Sequence, residues 1–168
     1  MGSETADKRI EALMHEYGND VLRMAYMYVR NEEVAKDMFQ DVFIKAYKGI
    51  DGFKGDSSIK TWLLSITINT CKDYLKSAYH NKVVPLEDFA EDSLVTRSDF
   101  SRLERAESAK KVRDAVAGLP EEFRDVVISV YFNGRDMKET AALLKISEGT
   151  VKSRLYRAKE KLKKVLDE

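Results

Sequence analysis

Apolar residues recur along most of this chain with the spacing of a helix. Over residues 37–50, Phe39, Val42, Phe43, Ala46, Tyr47 and Ile50 form one stripe, because a helical side chain returns to the same face every three to four residues. Asp37, Gln40, Asp41 and Lys48 fall off that stripe. Upstream, Ile10, Leu13, Met14, Tyr17, Val21, Met24, Ala25 and Tyr28 give the same period over 8–30, with Gly18-Asn19 expected as a weak point. Asn31 is placed to cap a helix beginning at Glu32. Residues 53–58 read as a loop by their Gly, Asp and Ser content, and Ser58 is placed to cap the next helix. Residues 59–79 then carry Trp62, Leu63, Ile66, Thr70 and Tyr74 on one side.

The period fails after Pro85. Residues 81–104 hold no sustained pattern and six acids lie nearby, so they read as a linker. Helical spacing resumes at about Leu103 and runs through Ala106, Ala109, Val112, Ala115, Val116 and Leu119. Pro120 followed by Glu121-Glu122 marks a new helix start, since proline suits the first turn and acids suit the positive end of the dipole. That helix carries Phe123, Val126, Val127, Val130 and Tyr131 and ends at Asn133-Gly134. The spacing predicts a short helix over 137–145, a tight turn over 146–149 capped by Ser147, and a longer helix from Thr150. On that last helix Val151, Leu155, Ala158, Leu162, Val165 and Leu166 share one stripe at about 100° per residue. The expected fold is all-α: two small helical domains, 1–80 and 105–168, joined by a flexible linker over 81–104, with a C-terminal helix-turn-helix.

Charge sharpens this picture. The 168 residues balance 29 basic against 29 acidic side chains, which excludes a histone-like polycation and an acidic tail. The balance is not uniform. Residues 1–80 carry 11 basic and 12 acidic side chains, 81–105 carry 4 and 6, and 106–168 carry 14 and 11. Within 150–164, seven cations (Lys152, Arg154, Arg157, Lys159, Lys161, Lys163 and Lys164) face one acid, Glu160. A helix pinned along one stripe and basic elsewhere suits a recognition helix in a DNA groove. No apolar run is long enough for a membrane span, no apolar segment opens the chain, and Cys71 is alone. A cytoplasmic protein without membrane insertion is therefore expected. Two histidines, one cysteine and no phosphate loop or metal spacing give an enzyme little support. No cofactor or metal is expected.

Three segments together resemble a known family. GTVKSRLYRAKEKL at 149–162, preceded by LPEEFRDVVISVYF at 119–132, resembles the fourth conserved region of bacterial sigma factors. DMFQDVFIKAY at 37–47 is similar to their core-polymerase-binding helix, and FKGDSSIKTWLLSITINTCKDYL at 53–75 to the segment that melts and reads the −10 element. The order and the chain length resemble the extracytoplasmic-function class of the sigma-70 family.

The resemblance implies a specificity subunit that binds core RNA polymerase, at the β′ clamp helices and the β flap, and directs promoter-specific initiation without catalysing anything itself. The alternative is a stand-alone helix-turn-helix regulator, which would bind promoter duplex without polymerase. By resemblance, Asp37, Gln40, Asp41 and Phe43 dock on core, with Phe43 also able to serve as plain core. Lys54, Gly55, Asp56, Ser57 and Ser58 form the loop that accepts a flipped −10 base, and Trp62 and Asn69 handle the separated strand, though Trp62 also suits the core. Thr150, Lys152, Ser153, Arg154 and Arg157 fall where the −35 element is read. Arg154 is the expected guanine reader, with Lys152 and Arg157 holding phosphates. An anti-sigma factor is an expected partner besides polymerase and promoter DNA. The sequence departs from the pattern at Thr67-Ile68-Asn69, which lacks a frequent arginine, at the nearly neutral 76–80, and at Lys145, which occupies a turn position that often holds glycine. The linker spans at most about 80 Å when extended, and its acids Glu87, Asp88, Glu91 and Asp92 suit imitation of nucleic acid in a polymerase channel.

Overall fold

The structure, a computed structural model, describes residues 2–80, 100–134 and 136–167. The chain divides into two compact units, Met1–Glu87 and Asp88–Glu168. The expected linker lies outside the described residues as far as position 99, and the four acids named in it lie there too. Its last positions already belong to a helix.

The first unit is built from α1 (Gly2–Val29), α2 (Glu32–Gly49), a 3-10 turn (Ile50–Gly52) and α3 (Ile59–His80). Ala6, Ile10, Leu13 and Val21 of α1 meet Val42, Phe43 and Ala46 of α2, Ile50 of the turn and Leu63 of α3 in one core. Gly18-Asn19 does not interrupt α1. Gly18 is buried, and a Cβ there would lie 3.4 Å from Cε2 of Phe39. Phe39 of α2 packs over this position at ordinary contact distance, and the helix continues because tertiary packing outweighs the poor propensity of glycine. At the α1–α2 corner Arg30 takes the left-handed conformation (φ 54°) and donates its N–H to the Tyr26 carbonyl at 2.9 Å. Its guanidinium, buried, lies 5.2 Å from the Tyr26 ring centre. The Asn31 side chain accepts from the Val34 N–H at 3.1 Å and caps α2.

The second unit consists of α4 (Phe100–Ala117), α5 (Glu121–Phe132), α6 (Met137–Leu144) and α7 (Glu148–Leu166). Val126 and Val130 of α5, Ala141 of α6 and Val151 of α7 form one core cluster; Leu119, Phe123 and Ala158 form another. Pro120 stands just before α5 as its N-cap residue rather than inside the first turn. Asn133 closes α5, with Gly134 at φ 59°. The Asp136 carboxylate caps α6 by accepting from the Glu139 N–H at 3.0 Å. Lys145 takes the left-handed conformation after α6 (φ 58°, ψ 44°), which is the strained turn the sequence implies. Ser147 caps α7 by accepting from the Thr150 N–H at 3.1 Å, so Glu148 and Gly149 already belong to the helix and not to the turn.

Six stripe positions are exposed: Met14 of α1, Tyr47 of α2, Tyr131 of α5 and three more. Val112 is exposed on α4, and Val165 and Leu166 are exposed on the last turn of α7. Periodicity marks which face is apolar but not how far the neighbouring helix extends along it, and here the buried contacts of α7 run from Val151 to Leu162.

Candidate polymerase and nucleic-acid interfaces

On α2 the buried stripe fixes which side chains face outward. Asp37, Gln40 and Asp41 are exposed. Phe43 is not: it is 5% exposed, with its ring centre 4.8 Å from that of Phe39. Phe43 therefore serves the core, one of the two roles open to it from the sequence, and it also lines the floor of a groove. That groove is lined by Met14 of α1 and by Phe39, Gln40, Phe43, Ile44, Tyr47 and Lys48 of α2. Met14, Ile44 and Tyr47 are large apolar side chains left exposed. Ile44 falls outside the helical stripe, which is the signal in the sequence that could have revealed it. The Tyr47 hydroxyl hydrogen-bonds Asp7, and this bond together with the carboxylate's charge raises its pKa above the ordinary 10.0.

The 53–58 loop leaves Lys54, Gly55, Asp56 and Ser58 exposed and Ser57 partly so. Gly55 takes φ +79° with open space around its Cβ position, a conformation that favours glycine whatever the room. The Ser58 side chain is engaged locally. Its Oγ accepts from the Thr61 N–H at 3.0 Å and donates to Thr61 Oγ1 at 2.9 Å, capping α3. Trp62 is half-buried against the first unit's core, with its ring centre 5.3 Å from that of Phe53. Asn69 is exposed on α3. Seven residues are nearly two helical turns, so Trp62 and Asn69 lie on one face about 10 Å apart along the axis.

On α7, Val151 and Ala158 are fully buried, and this sets the outward strip. About 100° per residue places Gly149, Ser153, Tyr156 and Glu160 opposite Val151, with Lys152 and Arg157 on either side. Lys152, Ser153 and Arg157 are exposed as expected, while Thr150 is half-buried with its hydroxyl 2.8 Å from that of Ser147. Arg154 is turned elsewhere. Its guanidinium lies 3.9 Å from the Glu122 carboxylate of α5, and its side chain is only 33% exposed. Lys161 is likewise turned onto α5, its ammonium 5.6 Å from the Phe123 ring centre. Tyr156, which the charge pattern does not reveal, is 69% exposed at the middle of the strip. Its angle from Val151 was the available signal.

The family model for Sigma-70 region 2 matches residues 13–80, and that for Sigma-70, region 4 matches residues 109–162. The ECF RNA polymerase sigma factor SigM of Mycobacterium tuberculosis is 33% identical over 156 residues, which cover 93% of this chain and 76% of that protein. The chain belongs to the sigma-70 family, in its extracytoplasmic-function class. The ECF RNA polymerase sigma-E factor of Escherichia coli is 31% identical over 163 residues, covering 91% of this chain and 84% of the relative. Among solved structures, CnrH in complex with the cytosolic domain of CnrY shares 25% identity with a TM-score of 0.69, over 99% of this chain and 95% of that one. The sigma factor RpoE in complex with the anti-sigma factor NepR from Bartonella quintana has the same fold, with a TM-score of 0.74 at 21% identity over 95% and 98% of the two chains. This sigma factor binds core RNA polymerase and directs transcription initiation at promoter DNA, and it is not an enzyme. The region 2 match takes in all of α2 and α3, and the region 4 match runs from within α4 to Leu162 of α7. No helix among the described residues is long and apolar enough to cross a membrane.

Proposed function

We propose how the work of this sigma factor divides among its side chains. Asp37, Gln40 and Asp41, with the apolar groove beside Gln40, dock on core polymerase. The exposed acids and amide give orientation, and Ile44, Met14 and Tyr47 give apolar area to a partner helix. The loop at 54–58 and the Trp62–Asn69 face of α3 take the unpaired −10 strand; an amide reads a base edge and an aromatic ring stacks on a base face. The outward strip of α7 enters the major groove at the −35 element, with Lys152 and Arg157 on phosphates and Ser153 and Tyr156 over base edges. Arg154, held by Glu122, flanks the strip and sets its angle to the duplex.

The observation that carries this reading is the fixed rotation of α7. Val151 and Ala158, both at 0% exposure, leave the helix one orientation, and that orientation presents Tyr156 and Ser153 between cations. Residues 1–80, 81–104 and 105–168 act as a core-binding and melting domain, a linker, and a −35 domain. The protein works in the cytoplasm, where its polymerase and promoters are. An anti-sigma factor holds it when it is idle, as NepR is bound to a sigma factor of the same fold in the solved complex from Bartonella quintana. A gel shift on promoter duplex tests the division of labour. Specific binding is expected with core polymerase and not with the free chain at physiological salt. Specific binding by the free chain, unchanged on adding core, would instead favour a stand-alone regulator.

A further inference from the structure

The groove on α2 takes one of its walls from α1. Met14 lines it from that helix, together with Ile44 and Tyr47 of α2. Seven residues are close to two full turns, so Asp7 falls within about 20° of Met14 on the same side of α1, about 10 Å before it. Ala6 and Ile10, which flank Asp7, are buried in one core with Phe43 and Ala46 of α2. Their packing fixes where the exposed Asp7 stands. All three residues precede the stretch that the Sigma-70 region 2 model matches, which begins at residue 13.

The Tyr47 hydroxyl donates to the Asp7 carboxylate across the two helices. Asp51, one turn after Tyr47, adds its charge but does not take the bond. Tyr47 is 38% exposed, and water can serve the hydroxyl of an exposed tyrosine. A surface hydrogen bond of this kind exchanges water for a carboxylate and adds little to folding. Its effect is on the ring. A tyrosine without it would swing among rotamers at the groove edge, and a partner would have to order it on binding. With the hydroxyl tethered to a second helix, the ring stands in the groove wall with Met14 and Ile44 before any partner arrives.

We propose that Asp7 is a positioning residue for polymerase docking: it holds Tyr47 in place as part of the apolar surface that core polymerase covers. This rests on the reading of the α2 groove as the docking surface. It extends that surface to the first turns of α1, ahead of the matched region. Ordering one side chain with two rotatable bonds at an interface is worth roughly 2- to 5-fold in affinity.

The test measures the affinity of the full chain for purified core polymerase, by competition against labelled wild-type chain, with urea unfolding of each variant alongside. Asp7→Ala should weaken binding by that factor and leave the urea midpoint near wild type, since alanine suits a helix. Asp7→Asn keeps an acceptor oxygen and should recover most of the loss. Tyr47→Phe removes the hydroxyl and should weaken binding as much as Asp7→Ala does. The double variant should be no weaker than either single one, because both break the same bond. A tie that serves only the fold would move the unfolding midpoint and leave core affinity unchanged, which would overturn the proposal. A loss from Asp7→Ala that persists in full on the Tyr47→Phe background would overturn it too, since Asp7 would then touch polymerase directly. Ile44→Arg separates the levels. If it weakens binding and Asp7→Ala does not, the groove docks polymerase without help from Asp7. If neither weakens binding, the groove is not the docking surface and the proposal falls with that reading.

Discussion

Replacing Tyr156 by alanine separates the face that reads DNA from the face that merely carries charge. A tyrosine offers about 200 Å² of surface. At 69% exposure, about 140 Å² of Tyr156 is in water in the free protein. Covering half of that in a groove, at about 25 cal/mol per Å², contributes about 1.7 kcal/mol, close to 20-fold in affinity. The substitution should leave stability within about 0.5 kcal/mol, because so little of the side chain is packed in the folded state. Arg154→Ala removes a long, partly exposed ion pair to Glu122, worth under about 1 kcal/mol. Its effect should fall on all promoters alike. Holoenzyme binding to a series of single −35 substitutions measures both. Tyr156→Ala should flatten the preference at one base pair, where an apolar ring contacts a thymine methyl, and Arg154→Ala should keep the preference profile. If Arg154→Ala relaxes a single position and Tyr156→Ala weakens every sequence equally, α7 enters the groove with a different face from the strip opposite Val151.

Other outcomes follow from the packing. Ile44→Arg, in the exposed groove of α2, should reduce co-purification with core polymerase while thermal unfolding stays near wild type; Asp41→Arg with Gln40→Ala should do the same. Gly18→Ala should stabilise the chain by up to about 1 kcal/mol in urea unfolding, since the added Cβ meets Phe39 at ordinary contact distance and glycine is a poor helix former. Gly18→Val should instead destabilise it by about 1–3 kcal/mol through crowding. Lys145→Gly should stabilise by about 1 kcal/mol, because Lys145 holds φ 58° at a steric cost that glycine does not have. The Tyr47 phenol, raised first by its hydrogen bond to Asp7, should titrate above the ordinary range in an alkaline ultraviolet titration. The folded state keeps that proton longer than the unfolded one, so the stabilisation is present below about pH 10 and is lost as pH rises through the raised value. Asp7→Asn should lower that titration.

Most of the helix pattern was legible because burial is periodic. The stripes of α2 and α7 were placed by Phe39, Val42, Ala46, Val151 and Ala158, and the caps at Asn31, Ser58 and Ser147 were readable from one polar oxygen before each stripe. Gly18 was misread because local propensity cannot see Phe39 arriving from another helix. Val112, Val165 and Leu166 were misread because a stripe says nothing about where its partner stops. At the site, the exposed polar residues of α2 and the strained Lys145 were visible in one dimension. The direction of a long side chain was not. Lys45, whose ammonium donates to Thr70 of α3, Arg154 and Lys161 each end on a helix other than their own, and no spacing rule reports that.

The direction of those cations bears on why a sigma factor of this kind depends on polymerase. Of the seven cations over 150–164, Arg154 and Lys161 turn onto α5, and Lys152, Arg157, Lys159, Lys163 and Lys164 are exposed. Even if all of these reached phosphates, the salt slope on duplex DNA would be about −4.5, and affinity would fall about 500-fold between 50 and 200 mM salt. The first unit adds little general attraction to duplex, since its basic and acidic side chains nearly cancel. In the division of labour proposed above, the free chain is left, at cellular salt, with a short recognition strip and a strand site that has no strand to hold until the duplex opens. Docking on core polymerase changes that arithmetic without any new DNA contact. Bound to polymerase, both units sit at a high effective concentration over the promoter, and the second contact becomes intramolecular. A recognition helix weak enough to release the −35 element after initiation is then also strong enough to find it beforehand, provided that polymerase carries it there.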